Sequence, residues 1–302
     1  MSLFLASVVL AGIPLLFAAF GGLISERAGV LNIGLEGLIL FGAFFSAWAA
    51  AAAGNQVVGL LAALAATFAL GLLLGWLMVS LRADQVVIGI AFNIAALGAT
   101  SSFLRVITKS DSSAMSTDSG GIVRIPGLAE IPWIGSLFDQ HWLVYIAYLL
   151  IPIVFLVLFR TGLGVRMRAC GEFPEGARAS GVNVVRTRIL AVAVGSMFAG
   201  AGGAYLVLGG IRQFTENISS GQGYIALAVI ILGRWTPLGA AAAAVLFALA
   251  QAISFRVQAS GSGVPIEIFL AMPYLITLLA VAISGRRVRP PAEEGRPLHL
   301  PT

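Results

Sequence analysis

The chain has 302 residues, of which 59% are hydrophobic and only 10% are charged, and its mean hydropathy is +0.99. A soluble domain carries about 25% charged residues, so this composition excludes a soluble globular fold and indicates a polytopic membrane protein. The net charge of +5 does not indicate a nucleic-acid partner, because the arginines cluster in loops at membrane edges, where they set topology and meet lipid headgroups.

The residues themselves exclude several kinds of site. Cys170 is the only cysteine, which excludes an internal disulfide and a cysteine metal cluster. The two histidines, His141 and His299, lie far apart in polar segments, and no pair of carboxylates suggests chemistry on a substrate. The single lysine, Lys109, lacks the preceding glycine of a phosphate-binding loop. We therefore expect no metal and no cofactor in this chain.

Apolar runs of roughly 20 residues, the length that crosses a bilayer as a helix, divide the chain. In chain order these runs cover 3–24, 38–53, 57–80, 85–107, 142–159, 188–210, 238–254 and 265–283, and a shorter run covers 224–233. They predict an all-α polytopic membrane protein in which residues 1–302 form a single transmembrane domain. The longest polar segment, 108–141, ends near Trp142, a residue type typical of the membrane interface.

The arginines predict the orientation of these runs. They are concentrated in the loop 160–188 and in the tail 284–302, and the positive-inside rule places both segments in the cytoplasm. An even number of passages must then join them, whereas only three full-length runs are present. The short run 224–233 must therefore help to complete a fourth passage, as a broken helix that ends at Arg234. This predicts about eight or nine passages, with the N-terminus outside, segment 108–141 extracytoplasmic and the C-terminus inside.

The loop 160–188 contains a segment, Glu172 to Val182, that predicts a short surface helix. Pro174 suits the first turn of a helix and Gly181 suits its end. We expect such a helix to lie along the membrane surface and to expose its charged side chains, Glu172, Glu175 and Arg178. An ordinary solvated loop is the alternative.

The sequence from Glu175 to Gly181, Glu-Gly-Ala-Arg-Ala-Ser-Gly, resembles the E-A-A-x-x-x-G pattern of ABC importer permeases. Gly176 replaces an alanine of that pattern, and the downstream hydrophobic-proline part is absent. In that family the segment is a coupling helix that docks in a groove of the ATPase subunit. The resemblance implies that the ATPase contacts are made by Glu172, Pro174, Glu175, Ala177, Arg178 and Gly181.

A second resemblance is more specific. Residues 26–37, Glu-Arg-Ala-Gly-Val-Leu-Asn-Ile-Gly-Leu-Glu-Gly, are similar to the signature of permeases of the simple-sugar and nucleoside ABC importers. The start at Gly223-Tyr-Ile-Ala, the break at Gly233-Arg and the restart at Pro237-Leu-Gly also match nucleoside-type members. The resemblance covers nearly the whole chain and is to the smaller of the two permease subunits.

This resemblance implies a permease subunit that forms half of the translocation path of an ATP-driven nucleoside importer in the bacterial inner membrane. The implied partners are a second homologous permease in a heterodimer, a cytoplasmic ABC ATPase that holds ATP and Mg, and an extracytoplasmic substrate-binding lipoprotein. The chain itself would be a transport subunit and not an enzyme. A simple-sugar or branched-chain amino-acid permease is one alternative, and an ion-coupled secondary transporter is an alternative of a different class.

Polar residues inside or beside apolar runs are candidates for the substrate path, because polar groups are costly in a membrane and usually face a cavity or a partner. The candidates are Asn32, Glu36, Phe92, Asn93 and Tyr224. On a helix, Asn32 and Glu36 would share one face. For Glu36 we favour a structural role, in which it satisfies the backbone of a broken helix or pairs with Arg27. For Asn93 we favour hydrogen bonding between helices, and Tyr224 is expected at the outer entrance.

Overall fold

The computed structural model describes residues 2–108, 115–116, 120–131, 135–259, 275 and 289–298. The helices are α1 (Ser2–Arg27), α2 (Leu35–Ala53), α3 (Gln56–Gly75, continued by a π-helical turn Trp76–Ser80), α4 (Gln85–Ile107), α5 (Trp142–Arg160), α6 (Gly162–Glu172), α7 (Pro174–Ala179), α8 (Val184–Tyr205, continued by a π-helical turn Leu206–Gly210), α9 (Gln222–Leu232) and α10 (Pro237–Ala259). The strands β1 (Met115–Ser116), β2 (Ile122–Arg124), β3 (Asp139–His141) and β4 (Gln213–Phe214) form two small antiparallel sheets, β1 with β4 and β2 with β3. Since the strands are so short, the predicted all-α fold is confirmed.

Seven of the described helices are long and apolar enough to cross a membrane, namely α1 to α5, α8 and α10. Each lies within a few residues of a predicted apolar run. The short helix α9 corresponds to the run predicted for the broken passage. The predicted run at 265–283 lies outside the described residues, so the total of eight or nine passages stays a prediction.

Three helices, α1, α2 and α8, form the centre of the bundle. Between 67% and 78% of the apolar window of each is buried, against 22% to 28% for α3, α4 and α5. Since lipid is as apolar as leucine, membrane helices associate by close backbone contact, which small residues permit. Gly42 of α2 faces Gly200 of α8, and Gly21 of α1 faces Gly195 of α8, so closely that an added Cβ would overlap the facing backbone. The glycines therefore set the spacing of the central helices.

We expect Gly42→Ala to destabilise the chain by about 1–3 kcal/mol, the usual cost of overpacking. The added Cβ would overlap the backbone of Gly200, so α2 and α8 would have to separate. Gly98→Ala in α4 is the matched control, because nothing lies within 4 Å of its Cβ position and alanine favours a helix. Thermal unfolding in detergent measures both variants, and equal melting temperatures would contradict the packing argument.

Polar contacts join several segments at one end of the bundle. Leu31 N, in the loop after α1, donates to Gln85 Oε1 at 2.7 Å, and Gln85 Nε2 donates to Arg296 O at 3.3 Å. Glu293 N donates to Gly171 O of α6 at 3.0 Å. The loop 160–188 and the described part of the tail therefore lie at the same end, which we call the arginine end.

The opposite end is organised around Gln56, the first residue of α3. Gln56 Nε2 donates to Gly120 O at 2.9 Å, and Gln56 Oε1 lies 2.9 Å from His141 Nε2. Burial, together with the charge of Arg212, lowers the pKa of His141 to about 4, so the imidazole is neutral at pH 7. A neutral ring can accept from Leu143 N through Nδ1, which caps the start of α5. The segment predicted to be extracytoplasmic is thus anchored to α3 and α5.

Reporter fusions test the orientation of these two ends. We expect a reporter at residue 125 to be active outside the cytoplasm and reporters at residues 172 and 295 to be active inside it, because of the positive-inside rule. The hydrogen bond from Glu293 to Gly171 requires residues 172 and 295 to report the same side. A reporter at 295 found outside would contradict both the predicted orientation and the predicted broken passage.

Candidate functional site

A non-helical segment, residues 211–221, connects α8 to α9 and enters the bundle. Phe214 is completely buried, and its ring packs edge-on against Phe44 of α2 with centroids 5.6 Å apart. The backbone then turns sharply, with positive φ at Asn217, Ser220 and Gly221. Irregular backbone at membrane depth is tolerated only where protein or a cavity encloses it, since lipid offers no hydrogen bonds. The segment 211–232 therefore consists of a loop, 211–221, followed by the short helix α9.

The predicted break after the short helix is confirmed. The helix α9 ends at Leu232, and Arg234 and Trp235 take positive φ values of 54° and 52° before α10 restarts at Pro237. Proline has no N–H to donate and its ring pre-sets the φ of a first helical turn, which explains the restart at this residue.

Glu36 anchors the start of α9. Its carboxylate accepts hydrogen bonds from Ser219 Oγ, from Gly221 N at 2.8 Å and from Gly223 N at 2.7 Å. The first backbone N–H groups of a helix have no partner within the helix, and together they carry a partial positive charge. A buried carboxylate accepts hydrogen bonds from these N–H groups and offsets their partial positive charge. The expected role of Glu36 as a partner of broken-helix backbone is confirmed.

Glu36 lies in the first turn of α2 itself, and its side chain is only 6% exposed. The N-termini of two helices, α2 and α9, therefore meet at one carboxylate, deep in the bundle. The alternative partner, Arg27, is not at this site, because its Nε donates to Trp235 O at 2.7 Å and its guanidinium lies over the Phe159 ring. A pairing of Glu36 with Arg27 is wrong.

Asn93 joins three segments at the same depth. Its Oδ1 accepts from Gly37 N of α2 at 2.8 Å, and its Nδ2 donates to Ile33 O at 3.0 Å and to Tyr224 Oη at 3.1 Å. The hydrogen bonding between helices that the sequence favoured for Asn93 is therefore confirmed. These three hydrogen bonds of Asn93 hold the loop before α2, the start of α2 and the start of α9 in one arrangement.

A cavity of about 250 Å³ lies beside these residues. Its polar lining comes from Glu36, Asn93, Asn217 and Tyr224, and its apolar lining from Leu40, Ile94 and Leu97, with Gly221 completing the wall. Ile94 is 68% exposed and Tyr224 is 45% exposed, so the cavity opens at the surface formed by α4 and the start of α9. The structure thus brings together three of the five predicted path residues, Glu36, Asn93 and Tyr224.

The structure does not place the other two predicted residues in this cavity. Asn32 is completely buried in the loop before α2, where its Oδ1 accepts from Gly34 N at 3.1 Å. Since α2 begins only at Leu35, the expectation that Asn32 and Glu36 share a helix face is wrong. Phe92 is not part of the cavity lining and packs against Phe41, with ring centroids 5.7 Å apart.

The expected place of Tyr224 at the outer entrance stays a prediction, and in the structure this residue lines the cavity. Its hydroxyl contacts Asn93, which follows Gln85 by eight residues and so lies about 12 Å along α4 from the arginine end. The segment 211–221 covers the remaining depth without a helix. Sequence reasoning missed Asn217, because nothing local shows that this loop residue lines the cavity.

The far end of α9 is fixed at the arginine end. Trp235 Nε1 donates to Glu26 Oε2, and Trp235 O accepts from Arg27 Nε. Glu26 and Trp235 are almost fully buried, at 2% and 4% exposure, and Arg27 is partly buried. The helix α9 is therefore held at both ends, by Glu36 at its start and by the last turn of α1 at its end.

The predicted surface helix is present but divided. Glu172 ends α6, and a separate helix α7 runs from Pro174 to Ala179, so the prediction of one helix from Glu172 to Val182 is wrong in its extent. Phe173 takes extended backbone between the two helices and separates them. Pro174 occupies the first turn, as predicted, and Gly181 has a φ of +82°, which suits glycine just after a helix.

The charged side chains of this segment lie on its exposed side. Glu172, Glu175 and Arg178 are exposed, as predicted, whereas Pro174 and Ala177 are buried against the bundle. Ala177 belongs to the main apolar core, and Val182 N donates to Ala177 O at 3.0 Å. The segment thus combines a fixed apolar side with an exposed, charged outer side.

The described part of the tail packs beside this segment. Ala292 N donates to the Glu172 carboxylate at 3.3 Å, and Leu298 is buried in the main core. Burial raises the pKa of Glu294 to about 7, and the nearby Arg27 partly offsets this rise. No local signal predicts this packing, because the tail is polar and proline-rich.

The polar groups of the cavity suit hydrogen bonding to a polar solute. The described residues contain no group of three His, Cys, Asp or Glu side chains that could hold a metal ion. The polar groups at the cavity are a carboxylate with three internal donors, two amides and one phenol. Such groups can hydrogen-bond weakly to a polar solute while it moves, which is what a transport path requires.

Comparison with known proteins gives a consistent result. Residues 4–281 match the family model described as branched-chain amino acid transport system, permease component. The guanosine ABC transporter permease NupQ from Bacillus subtilis is 35% identical over 98% of this chain and 96% of its own length. The nucleoside ABC transporter permease NupC from Lactococcus lactis is 30% identical over 97% of this chain and 96% of its own length.

A third relative is named for another substrate. TsgC13 from Haloferax volcanii, provisionally named a glucose ABC transporter permease, is 35% identical over 84% of this chain and 77% of its own length. No solved structure matches the chain.

Proposed function

Because the chain belongs to the permease-component family of branched-chain amino acid transport systems, we propose that it is the permease subunit of an ATP-driven nucleoside importer. The observation that carries the substrate class is the similarity to the guanosine permease NupQ along 98% of the chain. The nucleoside permease NupC supports it over a similar length. These relatives are named as ABC transporter permeases, which gives no support to the ion-coupled alternative.

The cavity at Glu36 supplies the central part of the proposed path. A nucleoside is neutral, carries several hydroxyl groups and a planar base, and needs hydrogen-bonding partners when it leaves water. Asn93, Asn217 and Tyr224 offer such partners, and Leu40, Ile94 and Leu97 offer an apolar wall. Asn32 and Phe92 would support the path without lining it. Asn32 fixes the loop before α2, and Phe92 packs α4 against α2. The path residues therefore lie on one face of the chain.

A second permease subunit would cover this face. The cavity is open where Ile94, Leu97 and Tyr224 are each more than 40% exposed, so one chain encloses only one side of a path. Polar side chains inside a membrane usually face a cavity or a partner, so the open side at Asn93 and Tyr224 favours a covering subunit. The proposed importer is a heterodimer of this chain with a homologous permease that supplies the opposite wall.

Two further partners complete the proposed importer. A cytoplasmic ABC ATPase would bind the exposed charges of this segment, Glu172 at the end of α6 and Glu175 and Arg178 on α7, and would hold the ATP and Mg. An extracytoplasmic binding lipoprotein would deliver the nucleoside to the end that carries segment 108–141. An importer with these partners would lie in the inner membrane of a bacterium.

Uptake by the assembled importer tests the substrate. With ATP enclosed in proteoliposomes, we expect uptake of labelled guanosine that unlabelled nucleosides suppress at least tenfold and that glucose or leucine does not suppress. Suppression by glucose alone would assign the substrate class of TsgC13 instead. Uptake driven by an ion gradient without ATP would contradict the proposed mechanism.

A further inference from the structure

A second cavity, of about 410 Å³, lies on a different side of the bundle from the proposed path. Its walls are formed by α1, α5, α6 and α8, and none of its lining residues belongs to α2, α4 or α9. A partner permease that covers the Glu36 cavity would therefore leave this cleft facing lipid. Its lining residues are Ile24, Ile153, Val154, Val157, Leu158, Leu163, Arg166, Met167, Thr187, Leu190, Ala191, Val194 and Phe198.

The cleft has an apolar floor and an apolar, open rim. Its floor is formed by buried residues, of which Leu158 is 1% exposed and Ala191 is 3% exposed. Its rim is formed by side chains that face outward, including Leu163 at 64% exposure and Leu190 at 41%. A polar solute would find almost no hydrogen-bonding partners here, whereas a hydrocarbon chain would fit both floor and rim.

The polar residues of the cleft are confined to one end. Arg166 of α6 and Thr187 of α8 line the cavity at the arginine end, and Arg166 is exposed. In the part of the chain that the structure describes, no carboxylate forms a salt bridge with Arg166. Among the described residues this guanidinium therefore has no acidic partner, and it lines one end of an apolar cleft.

The length of the cleft matches one leaflet of a bilayer. Thr187 and Phe198 lie eleven residues apart on α8, which corresponds to about 16 Å along the helix axis. The hydrocarbon core of a bilayer is about 30 Å thick, so one leaflet contributes about 15 Å. A transmembrane helix of a partner protein would be twice as long as the cleft, whereas an acyl chain of one leaflet ends where the cleft ends.

We propose that this cleft is a binding site for one anionic phospholipid, with its phosphate on Arg166 and one acyl chain between α5 and α8. Basic pockets between transmembrane helices at the cytoplasmic side are known to bind lipid headgroups in this way. The site does not depend on which solute the chain transports. Because α6 leads directly into α7, the lipid would also fix the position of the docking segment.

Native mass spectrometry of the purified complex that contains the full chain tests this site. The probes are phosphatidylglycerol and phosphatidylcholine with the same acyl chains. We expect the wild-type complex to retain phosphatidylglycerol about fivefold better, which corresponds to about 1 kcal/mol for one arginine near the membrane surface. Arg166→Gln should remove this preference. Arg160→Gln is the matched control, because it removes the same charge at the same end, outside the cleft, and should keep the preference.

A second variant and a crosslink separate the remaining outcomes. Val194→Trp fills the cleft and should reduce retention of both lipids severalfold, without a change in the headgroup preference. A photoreactive residue at position 163 should give adducts with lipid. Equal retention of both lipids by the wild type, an unchanged preference in Arg166→Gln, or an adduct at position 163 with a protein subunit would each overturn the proposal.

Discussion

Exchanging the charges of α7, as Glu175→Arg with Arg178→Glu, is expected to reduce ATP-driven uptake at least tenfold. Both side chains are exposed on a helix whose other side is fixed by Ala177 in the core. An ATPase groove that complements the native charges would then meet like charges, which cost several kcal/mol when juxtaposed at an interface. Uptake and copurification of the ATPase measure the effect.

The control for this exchange keeps the charges in place. Glu175→Asp with Arg178→Lys should retain most uptake, because the sign of each charge is unchanged. The exchanged variant also places unfavourable charges at the ends of α7, at about 0.3–1 kcal/mol each, so membrane insertion and folding must be shown to be intact. Normal uptake by a folded exchanged variant would contradict the role of α7 in coupling.

Glu36→Ala is expected to reduce uptake at least tenfold and to lower the melting temperature. The substitution leaves Ser219 Oγ, Gly221 N and Gly223 N without their acceptor, and each buried unpaired group costs about 1–3 kcal/mol. The start of α9 would lose its anchor, although Asn93 would still hold Tyr224. Both the shape of the cavity and the course of the broken passage depend on that anchor.

Two conservative variants show whether the start of α9 needs a carboxylate at position 36 or only a side chain of similar size. Glu36→Gln keeps one acceptor oxygen but points an NH2 group at backbone donors, so we expect it to be almost as harmful as alanine. Glu36→Asp keeps the carboxylate and should recover part of the uptake, because two acceptor oxygens remain within reach after a small shift. Full activity of the Glu36→Gln transporter in proteoliposomes would show that the carboxylate is not the anchor.

Much of the fold follows from local features of the sequence. Apolar runs predict the transmembrane helices because hydrophobic length must match the bilayer. Pro174 and Gly181 predict the limits of the surface segment, and Pro237 predicts the restart of α10, because proline and glycine act on the backbone directly. These signals need no knowledge of the rest of the chain.

The candidate site was only partly predictable. Polar residues inside apolar runs, such as Glu36 and Asn93, stand out because they are costly in lipid. Asn217 gave no such signal, since it lies in a polar loop that enters the bundle only in the folded structure. Asn32 gave a false signal, because its spacing from Glu36 suggested a common helix face although α2 begins between them.

By itself, the sequence determined that the chain lies in a membrane, which segments are helical, where the short passage breaks and which face of α7 is charged. Only the tertiary structure decided that Glu36 anchors Gly221 and Gly223, more than 180 residues away along the chain. The physical reason is that hydropathy and helix signals act over about one helix length, whereas the depth of a residue depends on distant segments. The depth of Tyr224 is set by its contact with Asn93, and that contact exists only once α4 and α9 have packed around α2.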